Sequence, residues 1–461
     1  MGLAPVGGAG AVGRLSRLLE RVFAEGLPGI QLGLERPAAL LAALGHPERG
    51  IAAIHVAGTN GKGSTVAFLG AMLTASGYRV GSYTSPHLQR LNERIAVDGE
   101  AISDADLVAC LEPVMAIGEA VPATFFERLT AAAFLHFARS RPDWVVLETG
   151  LGGRLDATNL VVPRVAVVTS IGLDHTGYLG STVAAIAREK AGIFKPGVPA
   201  VAAPGGPEAA RELEREAARV GCELWLEGRD FGVRDLGGEG FLYEDGAGSL
   251  RLPPPGLVGI HQKGNAALAV AALRLLQGEG CALAEGALAR GVAAARWPGR
   301  LERFAGRPEI WLDGAHNPGA AAVLARELLD LRLFSWGHTK GPVGIELVFS
   351  ALRDKDVVSM AAILAPRVDR VWTVGLAGER GLGAAYLAGV WERAGVPACA
   401  CGTPDEALER AARGAYPEGR VVVAGSLYLV GAVRALLVAG GGEMLRENRT
   451  GEGCPVVTPG G

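Results

Sequence analysis

Membrane-length apolar runs are missing from this 461-residue sequence. No stretch approaches the roughly 20 consecutive apolar residues a helical span requires. The N-terminus lacks a basic region followed by an apolar core, so no secretory signal is read and a cytoplasmic protein is expected. An excess of either charge is missing too. The 45 Lys and Arg against 48 Asp and Glu leave a net charge of -3, with both signs interspersed. Nothing in that balance suggests a nucleic-acid-binding face or a polybasic membrane patch. An anionic ligand must then be recognised by local groups. Cysteine is scarce: Cys110, Cys222, Cys281, Cys399, Cys401 and Cys454. Only Cys399 and Cys401 are close, and C-x-C alone is a poor metal signature, so reduced thiols are expected.

What is present is a globular composition, 49% hydrophobic and 20% charged, at a length that suits two or three domains. The 68 glycines are spread along the chain and form no repeat. The most informative stretch is Gly58-Thr59-Asn60-Gly61-Lys62-Gly63-Ser64. It follows the apolar run Ile51–Val56 and precedes helically spaced apolar residues from Val66 to Leu73. Strand, Gly-rich turn and helix let backbone N–H groups and a helix N-terminus wrap a phosphate. Lys62 would reach the outer phosphates and Ser64 could ligate Mg²⁺. The loop departs from the usual pattern, with Val56 where the first glycine stands and Gly63 between Lys62 and Ser64. The plainer alternative is a tight turn with a surface lysine.

Residues 1–13 are Gly/Ala-rich and read as disordered, and 14–24 as an amphipathic helix. Strands are expected at Ile51–Val56, Arg79–Tyr83, Trp144–Leu147, Val165–Thr169 and Val198–Ala202, alternating with helices. That alternation predicts βαβ units and a mostly parallel sheet. Residues 222–252 read as hairpins at a sheet edge, and a helix is expected over Asn265–Leu276. Arg296-Trp297-Pro298-Gly299-Arg300 marks a boundary between a domain of residues 14–297 and a smaller Rossmann-like α/β domain of residues 298–439. In the latter, strands are expected at Ile310–Leu312, Leu347–Phe349, Val371–Val374 and Val421–Ala424. The tail, residues 440–461, reads as disordered.

Polar residues cluster where strands end, the side on which open α/β sheets bind ligands. Thr84-Ser85-Pro86-His87, Glu148 with Gly150–Arg154, and Asp174-His175 follow three of the predicted strands. Glu148 is a hard oxygen ligand suited to Mg²⁺, and Ser64 and Ser85 could add hydroxyls. His175 is an unusual Mg²⁺ ligand and reads equally well as a loop residue. On residue type alone, Lys190 reads as a surface lysine. In Asp313-Gly314-Ala315-His316-Asn317-Pro318, Pro318 opens a helix and Asn317 caps it. Asp313 and His316 are not needed for capping, which favours a functional role.

These motifs together resemble folylpolyglutamate synthase and dihydrofolate synthase, the folate branch of the Mur-ligase-like amide-forming enzymes. The resemblance runs from about Ile30 to Arg434. It takes in the GTNGKGS loop, Thr84–Leu88, Asn92–Ile95, Phe126–Thr130, Glu148–Asn159, Leu173–His175, Glu189–Ile193, His261-Gln262, Asn265-Ala266, Pro298–Arg300, Asp313–Pro318 and Gly425–Leu429. It implies a P-loop-type, Mur-ligase-central ATPase domain followed by a glutamate-ligase domain. It also implies an ATP-dependent ligase that activates a folate or dihydropteroate carboxylate as an acyl phosphate, which the amine of L-glutamate attacks. By the same resemblance, Gly58–Ser64, Asn265 and Arg300 serve ATP, and Ser64, Ser85, Glu148, His175 and Lys190 hold two Mg²⁺ ions. Lys190 is expected to be carbamylated, a change from cation to anionic oxygen donor. Lys62, Lys190, Asp313 and His316 are the expected catalytic residues, the last two near the incoming glutamate or the γ-phosphate. Phe126 and Glu127 are expected to shape the folate pocket.

Two alternatives stay open: a single-activity folylpolyglutamate synthase, and a cell-wall amide ligase of the Mur type. The latter usually carries Thr at the position of Gly63 and an added N-terminal domain, for which about 50 residues before the loop are too few. A monomer using only small-molecule substrates is expected. No base for the glutamate amine can be named.

Overall fold

The computed structural model describes residues 8–24, 26–27, 29–118, 120–333, 343–378, 380–415 and 418–439. It divides into two compact units, Met1–Arg300 and Leu301–Gly461.

The first unit is built on an eight-stranded sheet. Its strands are β1 (Ala53–Ala57), β2 (Val80–Tyr83), β3 (Ile95–Val97), β4 (Glu100–Ala101), β5 (Trp144–Glu148), β6 (Val165–Val168), β7 (Ala200–Ala202) and β8 (Leu224–Leu226). The order is β4-β3-β2-β5-β1-β6-β7-β8. From β2 to β8 all pairings are parallel, and β3 and β4 add antiparallel strands at one edge. β1 lies at the centre and is buried along its whole length, as a strand covered on both faces must be. Ile54 and Val56 enter one core with the helices Lys62–Ala75 and His261–Gly278. Ala53 enters the other, with the helices Asp104–Gly118 and Phe125–Ser140.

The expected hairpins exist, but they are a separate sheet. β9 (Phe231–Asp235), β10 (Phe241–Asp245) and β11 (Gly248–Leu252) form their own antiparallel three-stranded sheet, with one isolated parallel bridge from Phe231 to Glu227. Phe231, Phe241, Tyr243 and Leu252 place this sheet against the first core. Leu224–Leu226, read as part of those hairpins, is instead the parallel edge strand β8.

The second unit carries β12 (Glu302–Phe304), β13 (Glu309–Leu312), β14 (Ile345–Phe349), β15 (Arg370–Val374), β16 (Ala398–Cys401) and β17 (Arg420–Ala424), in the order β12-β13-β17-β14-β15-β16. Only β12 is antiparallel to its neighbour. β12 and β16 were not expected from the sequence. Both are short edge strands with half-exposed positions: β12 carries two charged residues, and β16 is alanine and cysteine with none of the β-branched residues that mark a strand.

The first helix spans Gly8–Ala24, so it starts within the stretch read as disordered. Residues 1–7 and the tail 440–461 lie outside the described residues. None of the five described cysteines forms a disulfide, and Cys454 lies outside them. Among the described residues no helix is long and apolar enough to cross a membrane.

Candidate functional site

The Gly-rich loop leaves β1 at Ala57 and turns into the helix Lys62–Ala75. Gly61 caps that helix at φ 87°, a left-handed conformation that favours glycine. No side chain caps the helix. Its first N–H groups are therefore available to an anion, which the helix dipole also favours. The loop is strapped to the end of β6. Thr59 N donates to Ser170 O (2.8 Å), and Thr169 Oγ1 and Ser170 Oγ donate to Asn60 O at 2.7 and 3.2 Å. From the helix His261–Gly278, Asn265 reaches the same turn. Its Oδ1 lies 2.6 Å from where a Cβ on Gly61 would stand, and its Nδ2 donates to Gln262 Oε1 at 2.9 Å.

Three adjacent strand ends bring the next groups together. Glu148 is the last residue of β5 and sits in register with Val56 of β1. Its Oε2 accepts from Ser85 N (3.2 Å), which follows β2, and its Oε1 lies 3.8 Å from Lys62 Nζ. Burial pushes the Glu148 carboxyl up, and Lys62, the Ser85 N–H, Arg300 and Arg94 oppose that shift. Lys62 folds back on the loop, donating to Gly58 O (3.1 Å) and Thr59 O (3.3 Å). Arg300 Nη1 donates to Gly299 O at 3.1 Å. Ser64 is buried in the first turn of the helix.

Lys190 is not a surface lysine. It is 4% exposed, at the end of the helix Val183–Ala191, and donates to Gly58 O at 2.7 Å. Burial, then the nearby Lys62 charge, lowers its pKa to about 7, while Asp174 and Asp156 pull the other way. The surface reading failed because a single sequence does not reveal which face of a short helix meets the sheet. His175 follows β6 in a left-handed conformation at φ 50° and precedes the short helix Thr176–Leu179. Its backbone N donates to Asp174 Oδ1 at 2.9 Å. Among the described residues, no three His, Cys, Asp or Glu side chains converge as a metal site.

Phe126 packs its ring where a side chain on Gly150 would have to go, and its centroid is 6.0 Å from that of Tyr83. Glu127 is committed to structure. Its Oε2 accepts from Thr124 N (2.7 Å) in a capping box, and its Oε1 pairs with Arg36 Nη2 (3.0 Å).

In the second unit, Asp313 follows β13. Its carboxylate accepts from Leu301 N (3.0 Å) and Ala315 N (2.9 Å). His316 Nδ1 lies 2.7 Å from Gly314 O. Asn317 Oδ1 accepts from Ala320 N at 2.8 Å, which is the expected cap of the helix opened by Pro318.

Comparison with known proteins accounts for both units. Residues 56–273 match the Mur ligase middle domain, and residues 299–427 the Mur ligase glutamate ligase domain. The dihydrofolate synthase/folylpolyglutamate synthase of Bacillus subtilis is 42% identical over 354 residues, 72% of this chain and 78% of that protein. The Escherichia coli enzyme of the same name is 38% identical over 360 residues, covering 78% and 81%. The structure of E. coli FolC in complex with DHPP and ADP superposes with a TM-score of 0.85 at 35% identity, over 93% of this chain and 99% of that one. The chain belongs to the folylpolyglutamate synthase/dihydrofolate synthase family. It is an ATP-dependent ligase that adds glutamate to folate-type carboxylates.

Three residues of this ligase had no assigned role in the sequence. Asp156, quoted only as part of a motif, holds the loop after Glu148. Its Oδ2 accepts from Gly150 N (2.9 Å) and Leu151 N (2.8 Å), and its Oδ1 from Thr158 N (3.0 Å) and Thr158 Oγ1 (2.5 Å). His55, wholly buried in β1, bonds Thr158 Oγ1 through Nε2 at 2.8 Å. The Thr158 hydroxyl proton goes to Asp156, so the proton of the His55 bond sits on Nε2. Trp297, read only as part of a boundary, lies against Gly63. A polar residue inside an otherwise apolar strand was the one signal that could have flagged His55.

Proposed function

We propose that this ligase joins L-glutamate to both dihydropteroate and folate carboxylates, using one set of residues around the phosphate loop. The observation that carries the reading is the gathering of Lys62, Glu148, Ser85 and Lys190 about Gly58, at adjacent strand ends. The relatives support it. E. coli FolC was solved with DHPP and ADP, and a bifunctional relative with Mn, AMPPNP and L-glutamate bound.

In this reading Gly58–Ser64, Asn265 and Arg300 bind ATP. The first-turn N–H groups and Lys62 hold the phosphates and stabilise charge as the γ-phosphoryl group passes to the acceptor carboxylate. The acyl phosphate so formed is attacked by the glutamate amine, and phosphate leaves. Ser64, Ser85, Glu148, His175 and carbamylated Lys190 would hold two Mg²⁺ ions, which supply further neutralisation of phosphate charge. The donor chemistry fits: a buried carboxylate, hydroxyls, and an amine whose lowered pKa leaves it neutral enough to add CO₂. Phe126 shapes the acceptor pocket, and Glu127 contributes by fixing Arg36 and the start of the helix Phe125–Ser140. Asp313 and His316 serve glutamate. The protein acts as a cytoplasmic monomer on small molecules.

The test is phosphate release from Mg·ATP and L-glutamate with 7,8-dihydropteroate or tetrahydrofolate as acceptor. Release with both is expected. Release with only one would replace the bifunctional reading by a single activity.

A further inference from the structure

Gly63 is the second residue of the helix Lys62–Ala75. Unlike Gly58 and Gly61, it is not among the glycines with positive φ, so its backbone does not require glycine. Inside a helix, alanine is favoured over glycine. What excludes a side chain is the indole of Trp297: a Cβ on Gly63 would stand 2.8 Å from its Cε2 and Nε1 and 2.9 Å from its Cζ2. Real Cβ atoms do not approach that closely, so ring or loop would have to move.

The indole is held in place from behind. The helix Ala287–Ala294 lies along the helix Lys62–Ala75 at close range, with a Cβ on Gly291 only 2.5 Å from Met72 Cα. It delivers the following segment back towards the loop. Arg296 Nη1 donates to Ala293 O (2.9 Å) and Ala295 O (2.8 Å), and Gly256 N donates to Val292 O (2.8 Å). Trp297 itself is half-buried and packed on the core beneath the loop.

We propose that Trp297 is a positioning residue for the phosphate loop. Its indole edge bears on Gly63 and fixes the first helical turn, whose N–H groups face the phosphates. This rests on the reading that the loop binds ATP. It assigns Gly63 a steric function, to accept that ring, separate from any contact with nucleotide. It also makes Trp297, one of seven tryptophans, the one whose surroundings change when phosphates fill the loop.

The test is a double-mutant cycle with Gly63→Ala, Trp297→Ala and the pair, reading kcat and KM for ATP, acceptor and glutamate separately. Gly63→Ala is expected to raise KM for ATP about tenfold or more, and Trp297→Ala by a smaller factor, with KM for the acceptor unchanged in both. The pair should be no worse than Trp297→Ala alone, because removing the ring makes room for the methyl group. Trp297→Phe should retain most of the activity. It should also lose the change in tryptophan emission that Mg·ADP causes in the parent. Losses that multiply in the pair, or a Gly63→Ala enzyme as active as the parent, would overturn the proposal. So would an emission change that survives in Trp297→Phe. Thermal melts of all four proteins separate misfolding from the effect sought. A parent that binds no Mg·ADP would instead remove the ATP reading itself.

Discussion

Lys190 donates to the Gly58 carbonyl at 2.7 Å, so a buried amine and the Gly-rich loop after β1 share one hydrogen bond. A carbonyl accepts that bond from a neutral amine as well as, more strongly, from an ammonium, so the contact survives loss of the proton. Burial and the Lys62 charge bring its pKa to about 7. Near neutral pH a substantial fraction is then the neutral nucleophile that can add CO₂, with loss of a proton, to give a carbamate. Protein incubated with ¹³C-bicarbonate at pH 8 should show a carbamate carbonyl by NMR, absent in Lys190→Ala. That variant should lose on the order of 10²-fold in kcat/KM, with partial recovery on adding small carboxylates. Full activity of the variant together with no carbamate signal would rule the modification out.

Glu127 gives a stability prediction. Its carboxylate is buried, caps the helix Phe125–Ser140 through Thr124 N, and pairs with Arg36. Removing it leaves a half-buried guanidinium without its carboxylate and Thr124 N without its acceptor, while the Thr124 hydroxyl still caps the helix, so Glu127→Ala should cost about 2 kcal/mol. Glu127→Gln should cost less, because an amide oxygen can still accept from Thr124 N. Phe126→Ala, next to it, should act mainly on KM for the acceptor. Denaturant titrations paired with steady-state kinetics check both. A Glu127→Ala midpoint equal to the parent's would refute the capping argument.

The parallel strands were legible because strands buried on both faces leave uninterrupted apolar runs, as in Val165–Val168 and Val421–Ala424. β16, with the sequence Ala-Cys-Ala-Cys at an edge, is apolar but has none of the β-branched residues that mark a strand. At the site, the loop and the strand-end Glu148 could be read because each follows a recognisable strand. The burial of Lys190 could not, since it depends on which face of a nine-residue helix meets the sheet. The contact of Trp297 with Gly63 joins residues far apart in the chain, and no local pattern records it.

His55 gives the pH prediction. It is wholly buried at the centre of the sheet, and burial, then the charge of Lys195, lowers its pKa from 6.5 to about 3. Between those values the unfolded chain holds a proton on this imidazole that the folded chain does not. Folding stability therefore rises with pH through the window from about 3 to 6.5, and is lost as the pH falls through it. In His55→Gln, the slope of stability against pH should flatten by up to one proton in that range, whatever the change in absolute stability. Urea melts at pH 4.5, 5.5 and 7, all within or just above the window, measure it. An unchanged slope would mean that His55 is protonated in the folded protein.

His316 gives the last prediction, on the second unit's chemistry. The Gly314 carbonyl can only accept, so the 2.7 Å bond to His316 Nδ1 places a proton on that nitrogen. In the neutral ring, Nε2 is then the acceptor. That tautomer suits a group receiving a hydrogen bond from the glutamate ammonium, and it suits an acidic ligand less well. His316→Ala should raise KM for glutamate about tenfold and lower kcat, with KM for ATP changed little. His316→Gln, whose side-chain oxygen can also accept, should recover part of the loss. Asp313→Asn should behave differently, since an amide cannot accept from both Leu301 N and Ala315 N as the carboxylate does. It should lower thermal stability as well as activity. Steady-state kinetics with glutamate as the varied substrate decide the matter, and unchanged glutamate parameters in His316→Ala would take this histidine out of the glutamate site.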